Sequence, residues 1–167
     1  KRIPRKNIKL FLGKPILAYS IESALNSGLF DEVMVSTEDD EIATIAKQYG
    51  AKVPFKRSAK NADDFATTAD VIEEVLLTYQ KKGQHFDYAI CIYPTAPFVD
   101  ADLIKKGFEH LKNRGYDTVF PAMQFSFPIQ RAVKINATQR IEMLQPEHLR
   151  TRSQDLEKTY HDCGQFY

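Results

Sequence analysis

Two hydrophobic periods alternate along the first 124 residues, and that alternation restricts the fold more than any other feature of the chain. From Pro15 to Ser27 the apolar residues Leu17, Ile21, Ala24 and Leu25 recur at helical spacing, with Pro15 suited to a first turn and Gly28 to a C-terminal stop. "DEVMVST" then reads as a short buried strand through Val33, Met34 and Val35. "EDDEIATIAKQYG" follows as a helix: acidic residues at its positive end, Ile42, Ile45, Ala46 and Tyr49 on one face, Gly50 closing it. "AKVPF" is a brief strand that Pro54 keeps short or near an edge. A third helix spans about Thr68 to Lys82, and "FDYAICIYP" is a buried strand ending at Pro94. "DADLIKKGFEHLKNRG" is a fourth helix with Asp100 as its N-cap and Gly115 as its stop, and "DTVFPAMQ" supplies another strand. Strands and helices joined by short connections specify an α/β domain with a mainly parallel sheet.

After Met123 the rhythm changes. Strand-like pieces recur at Ala132–Ile135 and Gln139–Met143, followed by a polar, helix-poor stretch. Residues of about 125–160 are therefore expected to form a β-rich arm, of the kind that contributes to substrate binding or to a homodimer contact.

The chain has 167 residues, 43% hydrophobic and 27% charged, which suits one domain with a sizeable core. No apolar run approaches the ~20 residues that span a bilayer. The basic start lacks the apolar segment and cleavage site of a signal peptide. A net charge of +1 argues against a general nucleic-acid binder. The two cysteines, Cys91 and Cys163, form neither a metal-type pairing nor a disulfide framework, so a reducing cytoplasm is expected, and without a long apolar run no membrane contact is expected. Nothing near Cys163 would activate it, and it reads as a small hydrophobe.

Against this balance, "KRIPRKN" crowds Lys1, Arg2, Arg5 and Lys6 around Pro4. Such a run can be a solvated tail, a targeting signal or a loop that grips a polyphosphate. Position favours the last, because ligands of a parallel α/β sheet sit at the carboxyl ends of its strands. Two further polar stretches fall at such ends: "KRSAKNADDFATTAD" and "YPTAPFVDAD". In the first, Thr67 or Thr68 can cap a helix or offer a hydroxyl to a ligand. Asp63 and Asp64 have the look of a metal pair, although adjacent loop carboxylates are more often solvated or capping.

The stretch from "KRIPRKN" through "VPFKRSA", with "YPTAPFVDADLI", "FPIQRA" and "RSQDLEKTYHDCGQFY", resembles the CMP-sialic acid synthetase family over essentially the whole chain, most closely its pseudaminic acid cytidylyltransferase branch. The resemblance implies a three-layer αβα Rossmann-like nucleotidyltransferase fold that joins CTP to a nonulosonic acid with Mg²⁺. Within the family, sialic and legionaminic acid are the alternative substrates; outside that reaction, the alternative is an inactive nucleotide-sugar-binding domain. By the same resemblance Lys6 is the catalytic lysine, and Lys1, Arg5, Asn7, Arg57, Asp64, Thr67 and Thr68 meet CTP. Tyr93 and Thr95 line the sugar pocket; Tyr93 stands where sialic acid relatives tend to carry glutamine. Gln130 and Arg131 are candidates for the sugar carboxylate, with an edge-strand salt bridge as the other reading of Arg131. Gln154 and Tyr160 fall in the other branch-specific stretch; His161 beside Asp162 reads as a hydrogen-bonding support residue. The family pattern also places a first strand before Lys1 and metal-holding aspartates beyond Tyr167, so residues 1–167 are expected to be a single domain incomplete at both ends.

Overall fold

The computed structural model describes residues 3–63 and 65–167. Two compact units divide the chain: Lys1–Phe120 with Gly164–Tyr167, and Pro121–Cys163.

The first unit opens with a 3-10 turn, Lys6–Ile8, and a small hairpin of β1 (Leu10–Phe11) and β2 (Lys14–Pro15). Leu12 and Gly13 between them both have positive φ, 47° and 84°, as a tight two-residue hairpin turn requires. Four helices follow where the hydrophobic period places them. α1 (Ile16–Ser27) buries Leu17, Ala18, Ile21 and Ala24 and ends at Gly28 in the left-handed region. Leu25, expected on the same face, is 43% exposed. α2 (Asp40–Gln48) starts at Asp39, whose carboxylate accepts from the N–H groups of Glu41 and Ile42. α3 (Thr68–Lys81) begins with a reciprocal capping box between Thr67 and Asp70. α4 (Ala101–Arg114) is capped by Asp100 and stopped by Gly115 at φ 64°.

Two apolar clusters hold α1, α2 and α4. Leu17 and Ile21 of α1 meet Ala46 of α2 and Ala51, flanked by Ile8, Val33, Val35 and Val53. Ile104 of α4 meets Ala96, Val99 and Phe166, flanked by Ile90, Ile92 and Tyr93. Gly107, in mid-helix, is where the Phe166 ring passes; a Cβ there would lie 3.2 Å from it.

The sheet departs from expectation. Segments 33–37 and 52–57 run parallel, through a bridge at Met34 and Lys52. Lys52 N–H donates to Val33 O and Val35 N–H to Lys52 O, each at 2.9 Å. The segment at 91–93 instead pairs antiparallel with 165–167, around Ile92 and Phe166. A mainly parallel sheet is thus reduced, among the described residues, to one parallel bridge. The reason is physical: alternation of apolar side chains encodes burial against α1 and α2, which is present, but not the identity of a pairing partner. One or two bonded positions do not make a ladder.

In the second unit, β3 (Ala122–Gln124) pairs antiparallel with β6 (Tyr160–Asp162). β4 (Val133–Ile135) pairs with β5 (Ile141–Met143) in the register Val133–Met143, Lys134–Glu142, Ile135–Ile141. Asn136 Oδ1 closes the turn between them, accepting from the N–H groups of Thr138 at 3.0 Å and Arg140 at 2.9 Å. The expected arm of residues 125–160 falls inside this unit.

Candidate active site

The opening turn, the 36–41 segment and the 57–61 loop are joined by polar contacts in the first unit. Arg5, itself in the left-handed region at φ 54°, sends Nη1 to Asp39 Oδ2 and Nη2 to Glu41 Oε2. Asp39 N–H donates to Thr37 Oγ1 at 3.1 Å, and Arg57 N–H donates to Thr37 O at 3.1 Å. The Arg57 side chain turns to the same segment, with Nε 3.1 Å from Ser36 Oγ and Nη2 on Ser36 O. Both arginines expected at CTP are therefore bonded to their own chain.

Lys6 differs. It is exposed, and among the described residues nothing accepts from its Nζ, so its charge remains available to a ligand. Asn7 is half-buried, and its Oδ1 is enclosed with no hydrogen-bond partner among the described residues, leaving an acceptor for a donor group. Lys1 and Asp64 lie outside the described residues.

Thr67 and Thr68 separate into two roles. Thr67 caps: its Oγ1 accepts from Asp70 N–H at 3.2 Å and its hydroxyl lies 2.6 Å from Asp70 Oδ2. Thr68 Oγ1 instead lies 3.1 Å from the Tyr93 hydroxyl, which joins the start of α3 to the 93–98 loop. Tyr93 is fixed on its other sides, its carbonyl accepting from Ser20 of α1 at 2.8 Å and its ring meeting Tyr167 edge-on at 5.5 Å. Thr95 is half-buried in the turn that follows.

Residues of the second unit are described within it. Gln130 Nε2 donates to Glu157 O at 3.0 Å, while its Oε1 is enclosed and unbonded among the described residues. Arg131 ends the 3-10 turn Ile129–Arg131, and Gln154 is exposed in the turn Ser153–Asp155. Tyr160 is exposed on β6. His161 Nδ1 lies 2.9 Å from Asp162 O and its ring rests against Phe125.

Sequence reasoning passed over four residues that build the site. Asp39 and Glu41 receive Arg5, and Ser36 receives Arg57. Glu74 of α3 accepts from Ser58 N–H at 2.7 Å, from Ser58 Oγ at 2.9 Å and from Asn61 Nδ2, fastening the loop after Arg57 to the helix. Partial burial tends to raise the Glu74 carboxyl, but the Ser58 and Asn61 hydrogen bonds outweigh it and hold the group below its ordinary range. Asp39 is held low by the Ile42 N–H first and then by Arg5. Asp39 carried a local signal, an acidic residue just before an apolar period; Ser36 and Glu74 have distant partners and carried none. Burial pushes the Cys91 thiol up despite Arg57 nearby, which keeps it protonated and unreactive. Among the described residues no three carboxylate, imidazole or thiol groups gather closely enough to hold a metal ion, and no helix is long and apolar enough to cross a membrane.

The cytidylyltransferase family profile matches residues 1–165. The pseudaminic acid cytidylyltransferase of Campylobacter jejuni subsp. jejuni serotype O:2 is 46% identical over 167 residues, covering 100% of this chain and 72% of that protein. A CMP-N,N'-diacetyllegionaminic acid synthase of Legionella pneumophila subsp. pneumophila is 37% identical over 119 residues, 71% of this chain and 51% of that protein. Among solved structures, CMP:2-keto-3-deoxy-manno-octonic acid synthetase complexed with CTP superposes with a TM-score of 0.63 at 17% identity, covering 98% of this chain and 67% of that one. That last likeness shows the fold alone, an α/β fold shared with that synthetase.

Proposed function

Because the chain belongs to the cytidylyltransferase family, we propose that it transfers CMP from CTP to the anomeric hydroxyl of pseudaminic acid and releases pyrophosphate. The observation that carries this reading is 46% identity, unbroken over the whole chain, to an enzyme of that name. The legionaminic acid synthase is both less similar and matched over a shorter stretch.

In this reaction the sugar hydroxyl oxygen bonds to the α-phosphorus as the bond to the β-phosphate oxygen breaks. The pyrophosphate leaves with that electron pair, and the hydroxyl proton is lost. Negative charge grows on the α-phosphoryl oxygens and on the leaving group, and a cation fixed in advance stabilises it without reorganising. Lys6 suits that role because its ammonium is exposed and has no partner among the described residues. Asn7 offers its enclosed Oδ1 to the nucleotide, Thr68 its hydroxyl, and Arg57 the positive field of a guanidinium held on Ser36. Tyr93, with Thr95, receives the sugar. Gln130, Arg131, Gln154 and Tyr160, all of the second unit, stay in the proposal as candidates for the sugar acid, Arg131 for its carboxylate.

Mg²⁺ enters the proposal as the counter-ion of CTP. A homodimer formed through the second unit and a cytoplasmic location belong to the same proposal. Pyrophosphate release, measured with CTP and each of pseudaminic, legionaminic and sialic acid in the intact protein, tests it. Pseudaminic acid should be used at least tenfold better by kcat/KM. Preference for another acid reassigns the substrate, and CTP binding without turnover on any acid makes the chain a nucleotide-binding domain.

A further inference from the structure

Arg5 belongs to the basic opening run, and charge alone would assign it to the triphosphate. Its surroundings say otherwise. Both terminal nitrogens of the guanidinium are taken, one by Asp39 and one by Glu41, in the two-pronged arrangement that fixes a guanidinium in orientation as well as position. Asp39 is an anchored partner. Its other oxygen accepts from the N–H groups of Glu41 at 2.9 Å and Ile42 at 3.0 Å, so it is already tied to the first turn of α2. α2 in turn rests on the core through Ala46.

The backbone of Arg5 carries the consequence forward. Its carbonyl accepts from Ile8 N–H at 3.1 Å, and Lys6 O accepts from Lys9 N–H at 3.2 Å; these two bonds are the turn on which Lys6 and Asn7 stand. Arg5 itself holds φ 54°, a conformation that a non-glycine residue adopts only when its neighbours compensate. We propose that Arg5 is a positioning residue, latched by Asp39 and Glu41 so that the turn it begins presents Lys6 and Asn7 to CTP. The proposal rests on the cytidylyltransferase reading for the role of Lys6 and on this structure for the latch.

The rival is that Arg5 binds the triphosphate directly and the two carboxylates merely occupy it, and the two ideas predict opposite signs. Asp39→Asn with Glu41→Gln removes both charges, while asparagine still caps α2 as well as aspartate does. Amide hydrogen exchange of Ile8 and Lys9, and kcat and KM for CTP, would be measured in the intact protein, in this variant, in Arg5→Ala and in the triple combination. Under the latch, both variants speed exchange at Ile8 and Lys9 about tenfold and lower kcat about tenfold, with KM for CTP changed less than twofold and the triple variant no worse than either. A fall in KM for CTP on removing the carboxylates would mean that a freed Arg5 grips the triphosphate, and overturns the proposal. So would unchanged exchange in both variants, or effects that multiply in the triple variant. Should the wild-type protein transfer no CMP to any acid, the functional reading fails by itself, and the exchange comparison still decides the latch.

Discussion

Lys6 and Tyr93 carry the division between nucleotide and sugar at the level of single residues. A cation that interacts mainly with charge developing in the transition state lowers the barrier more than it tightens the substrate. Lys6→Ala is therefore expected to lower kcat by ~10²–10³ while leaving KM for CTP within about threefold, checked by steady-state kinetics with both substrates varied. A rise in KM for CTP with kcat unchanged would make Lys6 a binding residue. Tyr93 is held on three sides, by Ser20, Thr68 and Tyr167. Tyr93→Gln should lower kcat/KM for pseudaminic acid by about 10²-fold and leave KM for CTP unchanged, since a pocket built around one set of polar groups rejects a mismatched one. A change confined to CTP would show that the hydroxyl acts through Thr68 on the nucleotide loop.

Local chemistry made the helices legible and left the pairings hidden. Gly28 and Gly115 stop α1 and α4, Asp100 caps α4, and α3 ends one residue short of the expected Lys82, because caps and apolar periods are written within one or two turns of the chain. The 33–35 segment was legible as a buried strand and 51–55 as a brief one, but whether each forms a ladder depends on a partner far away in sequence. The site followed the same rule. The loops at 5–8, 57–61 and 93–98 were readable from composition, whereas the carboxylates and the serine that hold them were not, apart from Asp39. Glu74 gives this a measurable consequence. Its folded pKa is depressed, so the unfolded chain takes up a proton first as pH falls. Its stabilising contribution is full at neutral pH, erodes once pH drops past about 4, and is lost below the depressed value. Asp39 and Asp70 are depressed too and act in the same sense, Asp70 through the Thr67 hydroxyl first and the Thr67 N–H second. Urea midpoints from pH 7 to pH 3 should fall, and Glu74→Gln should flatten that slope. A midpoint independent of pH in the wild-type protein would mean these bonds do not survive in solution.

For the molecule as a whole, the β4–β5 ribbon poses the question of what covers it. Its register puts Val133, Ile135, Ile141 and Met143 on one face and the Lys134–Glu142 ion pair, at 3.4 Å, on the other. The apolar face is open: Val133 is 53% exposed, Ile135 68% and Ile141 71%. Phe127, Leu144 and Leu149 of the same unit are exposed as well. A two-stranded ribbon is marginal alone, and an apolar face of this kind is stable in water when something covers it. A second copy of the chain is the simplest cover, because a two-fold interface pairs one such face with its own image. A stable dimer buries about 800 Å² on each partner, and the exposed Phe127, Leu144 and Leu149 are proposed to share the contact with the ribbon. Sedimentation velocity at micromolar concentration should find a dimer, and Ile135→Glu should convert it to a monomer by placing an unpaired charge in the middle of the face. Lys134→Ala, on the opposite face, loses only an exposed ion pair and should leave the dimer intact. A wild-type monomer would remove the dimer from the proposal. A dimer indifferent to Ile135→Glu would move its interface away from the ribbon.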